Sequence, residues 1–398
     1  MKLIEFKEYN NLENNVLNKR KVVIAAVLAI AIFVVVLYSI LYAFSPKFRR
    51  WADIHILMKC VQQGNLPSVD IDADDSTYFI GYDKYIAVLN NYHFMIYNSS
   101  AKEIANLDVK VSNPISKSNG KYLVLAENQK EKIYVISGTR ILWSKDIEGA
   151  ISRVDINENG YVSVVCSGTT YKSVVVTFDQ AGNELFKTYI PSNKVVDSVI
   201  SSDNKYLSIA EVDTSGTLVK SIVKTISIKD AKASPDKSVA NTYEMPTNVL
   251  VIYLKYQGSK NLICMCDDGI RVLSDGKIEK LFDFQEEGKN YSFAGIDLIN
   301  NIYEVEESAT GISSQVTKIN MLNTGNKKRH VYSVDSIAKD TLSAGDIIAV
   351  NLGTEVYFVD TRGWLKKKYQ ANEEIRDVVL SERIAAIVYR DHIEILVL

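Results

Sequence analysis

The sequence predicts an all-β protein, a β-propeller of eight blades, preceded by a transmembrane helix and a short juxtamembrane helix. Three observations carry that expectation. From about residue 66 onward a hairpin unit recurs, in which an apolar run ends in a Gly/Asp/Asn/Ser turn and a half-polar run follows; the clearest copies are residues 133–143, 174–186, 271–281 and 356–364. The repeat period is near 40 residues with one strongly apolar strand in each repeat, and small sheets of this kind bury their faces only against neighbouring sheets around a ring. Six prolines beside twenty-three tyrosines and many Val, Ile and Ser make the composition of strands joined by polar turns.

A chain of 398 residues has room for one large or two medium domains, and 47% hydrophobic residues exclude disorder on that scale. The formal charge of −2 sets up no field that would draw a polyanion, and the repeats carry no basic stripe interleaved with aromatics. No nucleic-acid partner is expected.

Residues 1–21 form a short tail ending in the basic cluster Lys19, Arg20 and Lys21. From Val22 through Leu28, Phe33 and Leu37 to Phe44 the chain carries no charge, and fifteen of these 23 residues are Val, Ile, Leu or Phe. A helix needs roughly 20 residues to cross the hydrocarbon layer, and each such side chain favours insertion by about 0.3–0.6 kcal/mol at the helix centre. The run exceeds the apolar core of a cleavable signal and no small-residue cleavage site follows it, so an uncleaved signal anchor is expected. The bilayer is thus one partner, through one helix. Lys47, Arg49 and Arg50 balance the basic cluster on the other side. The tight cluster on a short tail then favours an extracytoplasmic propeller at the cell membrane, because long domains translocate largely regardless of charge.

Ser45-Pro46 reads as a helix cap, and Phe48, Trp51, Ile54, His55, Met58 and Val61 recur at helical spacing until Gly64 and Pro67, predicting an amphipathic helix over about 46–63 within a linker of residues 45–65. Its stripe would place Arg49, Arg50 and Trp51 at the membrane interface or cap one face of the propeller. The propeller itself would span 66–398.

The apolar strands of the repeats begin near Lys84, Lys121, Tyr161, Lys205, Asn261, Asn301, Asp346 and Arg383, which gives eight blades, with seven as the alternative. The longest interval is the fourth, where residues 229–244 read as an exposed Ser/Lys/Asp/Ala-rich loop. The last repeat stops after three strands, and residues 66–71 supply a strand before the first. Pairing the two would close the ring and remove an open sheet edge.

At Gly138-Thr-Arg-Ile-Leu-Trp143, and more loosely at residues 181–186 and 361–364, the repeats resemble the quinoprotein-like and WD-like propellers, without the Gly-His and Trp-Asp pairs of true WD repeats. The whole layout, with a short basic tail, one anchor, Phe48-Arg-Arg-Trp-Ala-Asp53 and degenerate blades, resembles the family labelled domain of unknown function 5711, found mainly in clostridia and their relatives. The resemblance implies a membrane-anchored propeller and assigns no activity or functional residue.

The chemistry-bearing residues do not assemble into a motif. His55, His93, His330 and His392 lie in separate regions with no metal-ligand spacing. Residues 69–76 carry alternating aspartates but lack the central Gly and distal Glu of a calcium loop. Asp267-Asp268-Gly269 and Asp275-Gly276 are turn formers. Ser118-x-x-Lys121, Ser202-x-x-Lys205 and Ser234-x-x-Lys237 match a nucleophile pattern in letters, the first two at equivalent turns of successive repeats where no helix brings Lys to Ser. Cys264 and Cys266 alternate on one strand face as buried small hydrophobes, with no disulfide framework or zinc motif around Cys60 and Cys166. No catalytic residue, metal or cofactor is therefore expected. The function read from these features is a non-catalytic binding or scaffold module for a protein or cell-envelope partner. The alternatives are an enzyme acting on an envelope polysaccharide or using a quinone, marked by clustered carboxylates and a positive mouth, and a cytosolic membrane-tethered platform.

Overall fold

The computed structural model describes residues 2–71, 74, 76–90, 92–234, 238–309 and 315–398, with the side chains of 2–18, 46 and 309 left undescribed. It divides into two units, residues 1–60 and 61–398.

In the first unit, α1 spans Lys2–Phe44, so the helix runs back through the basic tail as well as the apolar segment. α2 spans Pro46–His55. Ser45 is its N-cap, its hydroxyl accepting the Phe48 N–H at 3.4 Å with proline at the first position, as the sequence anticipates. The expected helix to residue 63 is corrected. Met58 adopts a left-handed backbone (φ 48°), and Cys60–Gln62 is a strand. Hydrogen bonding at a sheet edge overrides the weak helical pattern of 58–62.

In the second unit the described residues form eight sheets around an axis, seven of four strands and one of five. Blades 1 to 7 occupy residues 78–108, 114–146, 151–190, 194–244, 251–283, 290–334 and 340–370, each with its strands in chain order from the axis outward. Blade 8 takes three strands from residues 377–397 and its outermost from Ser68–Asp70, paired Ser68 to Glu394 and Asp70 to His392. The ring therefore closes as the sequence predicts. Buried Glu394 fixes the seam, accepting the Gly64 N–H (2.5 Å) and the Tyr369 hydroxyl (2.7 Å). Residues 61–62 lie in the short strand that extends blade 7 to five strands.

All eight apolar runs recognised in the sequence are the second strands of their blades, and several are buried along their whole length, as at Tyr122–Glu127 and Ile384–Val388. They are buried because each blade packs against both neighbours. Ile86 and Val88 of blade 1, for example, meet Val379, Ala386 and Ile393 of blade 8. The recurrent hairpins are third-to-fourth strand turns, and the turn motif is a docking device: Trp143 of blade 2 donates its indole N–H to the Gln180 carbonyl of blade 3 at 3.2 Å and lies against Gly182, whose φ of +81° and lack of a side chain both suit the contact.

The fourth interval is not an open loop. Ile228–Ala233 forms α3, capped by the Ser227 hydroxyl, with Ile228 and Ala231 buried, and Val239–Glu244 is the outer strand of blade 4. Strand alternation fixes two faces. First-to-second and third-to-fourth turns share one, called here the turn face. Second-to-third turns and the connections between blades share the other, the connection face.

Candidate functional site in the axial channel

The innermost strands line a channel, and at the turn face it widens into a cavity of about 570 Å³ to which all eight blades contribute. Its lining includes Ser116, Ser118, Ser202, Asn300, Ser343 and Ser381 among aliphatic residues, with the carboxylates Asp83, Glu158, Asp377 and Glu382. Its floor is charged. Lys117 from the inner strand of blade 2 reaches Asp297, just after the inner strand of blade 6, at 2.9 Å, while Lys255 of blade 5 reaches the same carboxylate oxygen at 3.3 Å and the Asp297 carbonyl at 3.0 Å. Blades 2 and 6 stand opposite each other in a ring of eight, so one ion pair spans the axis. The Lys117 ammonium also sits 4.4 Å from the centre of the Tyr253 ring.

Asp155 of blade 3 and Asp197 of blade 4 complete the group. Asp197 accepts the Leu254 N–H at 2.7 Å, binding blade 4 to blade 5. Burial pushes Asp155 up to about 6, against the pull of Lys117 and Lys255, and burial with repulsion from Asp155 pushes Asp197 up to about 7. Burial works against the charge of Asp297 too, but the two lysines outweigh it and hold that carboxyl well below the usual range. Burial likewise opposes Lys117, yet Asp297 and Asp155 keep its ammonium above the ordinary lysine value, whereas burial and the neighbouring Lys117 draw Lys255 below it. The side chains of Lys117, Lys255 and Asp297 remain 22–37% exposed along the bore, so their attraction is screened relative to a dry core.

This arrangement holds the ring across its axis, and its charges are engaged with one another. The sequence reading missed it: Lys117, Asp155, Asp197, Lys255 and Asp297 each sit in or just after an inner strand, and what brings them together is ring closure.

The residues singled out from the sequence fall elsewhere. Ser118 lies near the end of the inner strand of blade 2 and Ser202 in the first-to-second turn of blade 4, so they do not sit in successive repeats. Their hydroxyls donate to the Gly81 and Gly258 carbonyls at 3.2 and 3.1 Å, while Lys205 pairs with Asp203. Pro235, Asp236 and Lys237 lie outside the described residues, as do Asp72, Ala73 and Asp75 of the aspartate run, where Asp74 accepts bonds from Ser76 and Thr77 in a local turn. Asp268 has more than a turn role, because it forms a two-point ion pair with buried Arg271 at 2.5 and 2.6 Å. Cys264 and Cys266 are buried side by side, 3.6 Å between sulfurs, and burial pushes the Cys166 thiol up to about 11. The four histidines stay apart, and among the described residues no group of three His, Cys, Asp or Glu side chains could hold a metal ion.

Of the predicted membrane residues, Val22, Leu28, Phe33, Leu37 and Phe44 all lie exposed on α1, next to exposed Lys19, Arg20 and Lys21. Arg49 donates to the Tyr42 and Ala43 carbonyls at 2.8 and 2.7 Å, satisfying the open end of α1, while Arg50 is half-buried and Trp51 exposed.

No curated protein sequence matches this chain. Among solved structures, Sqt1 from Chaetomium thermophilum superposes with a TM-score of 0.52 at 11% identity, over 84% of this chain and 99% of its own. BamB from Moraxella catarrhalis gives 0.46 at 8% identity, over 83% and 98%. Hydrazine synthase from Kuenenia stuttgartiensis gives 0.43 at 11%, over 85% and 97%. These likenesses concern the propeller fold alone. A family model matches residues 64–398, nearly the whole ring, and by it the chain belongs to the Family of unknown function (DUF5711).

Proposed function

We propose that this chain is a single-pass membrane protein whose propeller is a non-catalytic binding or scaffold module, displayed outside the cytoplasm to a protein or cell-envelope partner. The observation that carries the reading is Lys19–Phe44, a 26-residue helical span whose most apolar 18 consecutive residues have a mean hydropathy of 3.0 with none of them buried, joined to a ring that closes on its own strand. An apolar helix of that length left bare in water is costly, and a bilayer removes the cost. The anchor residues are Val22, Leu28, Phe33, Leu37 and Phe44, with Lys19, Arg20, Lys21, Arg49, Arg50 and Trp51 at the two interfaces. Tethering confines the ring to the membrane and raises its effective concentration toward neighbours there.

Two features of the channel support a non-catalytic role over an enzyme. On its floor Lys117, Lys255 and Asp297 are committed to one another, and the Ser118 and Ser202 hydroxyls bond to backbone carbonyls.

The test is carried out on cells. The protein is expected to stay with the membrane through alkaline carbonate washing, and protease added to protoplasts is expected to degrade the ring. Release by carbonate would overturn the anchor; an intact ring in protoplasts that is digested after lysis would reverse the orientation.

A further inference from the structure

Blades 3 and 5 each end their second strand on a buried cysteine at the same place in the fold. Cys166 closes Val162–Cys166 and Cys266 closes Asn261–Cys266, and each stands opposite the first residue of its blade's inner strand, Ile151 or Val251, beside a bulge. What surrounds the two differs. Two residues earlier, on the same strand face, blade 3 has Val164 and blade 5 has Cys264; across the ladder from these stand Val176 and Arg271. Blade 5 therefore holds two thiols 3.6 Å apart near a guanidinium, inside the apolar cluster that joins it to Val199, Ala210 and Val223 of blade 4. Cys166 has no second thiol and donates instead to the Glu148 and Val174 carbonyls at 3.4 and 3.6 Å.

These surroundings set reactivity, because the thiolate is the form that peroxides oxidise. The hydrogen bond from the Cys264 thiol, helped by the Arg271 charge, outweighs burial and holds Cys266 below the usual thiol range, while that same bond and burial push Cys264 well above it. Cys266 is also the easier of the pair to reach. It is the last residue of its strand, its neighbour Asp267 is exposed, and opening of the two-residue turn 267–268 on the connection face uncovers it before Cys264.

We propose that Cys264 and Cys266 form a reversible oxidation site for a small hydroperoxide, and that their disulfide loosens the contact between blades 4 and 5. The Cys266 sulfur attacks one peroxide oxygen and the O–O bond breaks. The departing oxygen takes the proton given up by Cys266 and leaves as water, with Cys266 now a sulfenic acid. Cys264 then attacks the Cys266 sulfur and expels hydroxide, which takes the Cys264 proton. Two thiols and one hydrogen peroxide give one disulfide and two waters, two electrons passing from sulfur to oxygen, and a dithiol reductant reverses the change. The product cannot fit a regular strand. Residues two apart on a strand are separated by about 6.6 Å, whereas a disulfide draws its α-carbons to about 5.5–6 Å. Bridging bends the strand end and shifts both side chains within the cluster they share with blade 4.

The test uses the full-length, reduced protein in detergent micelles, exposed briefly to hydrogen peroxide at about one equivalent and then alkylated in denaturant. Trypsin releases residues 261–271 as one peptide carrying both thiols. That peptide is expected to lose two hydrogens and to resist alkylation until treated with dithiothreitol, at a rate about tenfold or more above oxidation of Cys166. In Cys264→Ser, Cys266 should stop at the sulfenic acid and be captured by dimedone; in Cys266→Ser, Cys264 should remain a thiol. The melting midpoint of the oxidised wild type should fall by several degrees and recover with dithiothreitol, with no such fall in peroxide-treated Cys266→Ser. Oxidation of Cys166 as fast as Cys266, or oxygen added to the two sulfurs without a disulfide, overturns the proposal. A disulfide that leaves the melting midpoint unchanged overturns it as well, because the contact between the blades would then not depend on the state of the pair.

Discussion

Gly81→Val is expected to destabilise the ring by about 3 kcal/mol or more, because overpacking against atoms that cannot repack exceeds the usual 1–3 kcal/mol. Gly81 lies on the inner strand of blade 1 where that blade meets blade 8, the seam joining the two ends of the repeat array. A Cβ there would stand 2.2 Å from the Leu380 carbonyl oxygen, 2.6 Å from its carbon and 3.0 Å from the Ser381 nitrogen. All three are backbone atoms, so the only relief is to part the strands. Parting them strains the Val379–Ile86 core beside them. Two other glycines calibrate the effect. A Cβ at Gly295 would meet the Tyr303 ring at 2.2 Å, a side chain that can shift in part, so Gly295→Ala should cost less. At Gly258 nothing lies within 4 Å and only a φ of +69° resists substitution, so Gly258→Ala should cost about 1 kcal/mol. Thermal unfolding should rank the three in that order, with Gly81→Val lowering the midpoint by roughly 6–10 °C. A Gly81→Val midpoint no lower than that of Gly258→Ala would mean the seam is not packed as described.

This seam also marks how far the sequence could be read. Second strands such as Tyr122–Glu127 are covered on both faces, so selection for burial writes them as continuous apolar runs and their spacing gives the blade count. Ser68–Asp70 was legible by elimination, as a strand in need of a partner beside a repeat lacking one. Residues 58–62 were misread as helical and 229–244 as an open loop for a shared reason: a sheet edge and a buried helical turn supply contacts that short-range pattern does not encode. The channel floor was not legible at all. Lys117 and Asp297 are 180 positions apart and meet because an even-bladed ring puts blade 6 across from blade 2.

Asp297→Asn should be the most damaging single change in the channel. It leaves Lys117 and Lys255 facing one another without the carboxylate they share. Stranding a buried charge costs about 3–5 kcal/mol, and exposure along the bore lowers the expectation here to about 2–3 kcal/mol. Replacing Lys255 by Met in the same chain should restore part of the loss, because it removes the like-charge contact, so the pair of substitutions should be clearly non-additive in chemical denaturation. Additive losses would mean that the lysines do not depend on the shared carboxylate. The pH response of the intact protein follows from the same group. Asp297, held low, contributes stability that is complete above the unfolded carboxyl value near 3.9 and is lost only as pH falls below it. Asp155 and Asp197 act in the opposite sense. With folded values of about 6 and about 7, they bind protons in the ring that the unfolded chain has released, so their contribution falls as pH rises from about 4 to 7, by at most about 1.4 kcal/mol per pH unit for each proton. The protein should therefore melt higher at pH 5.5 than at pH 8, and Asp197→Asn, which keeps an oxygen for the Leu254 N–H, should flatten that slope. An unchanged slope in this variant would show that the carboxyl of Asp197 is already ionised in the folded ring at pH 5.5, with Lys117 and Lys255 dominating burial at this position as they do at Asp297.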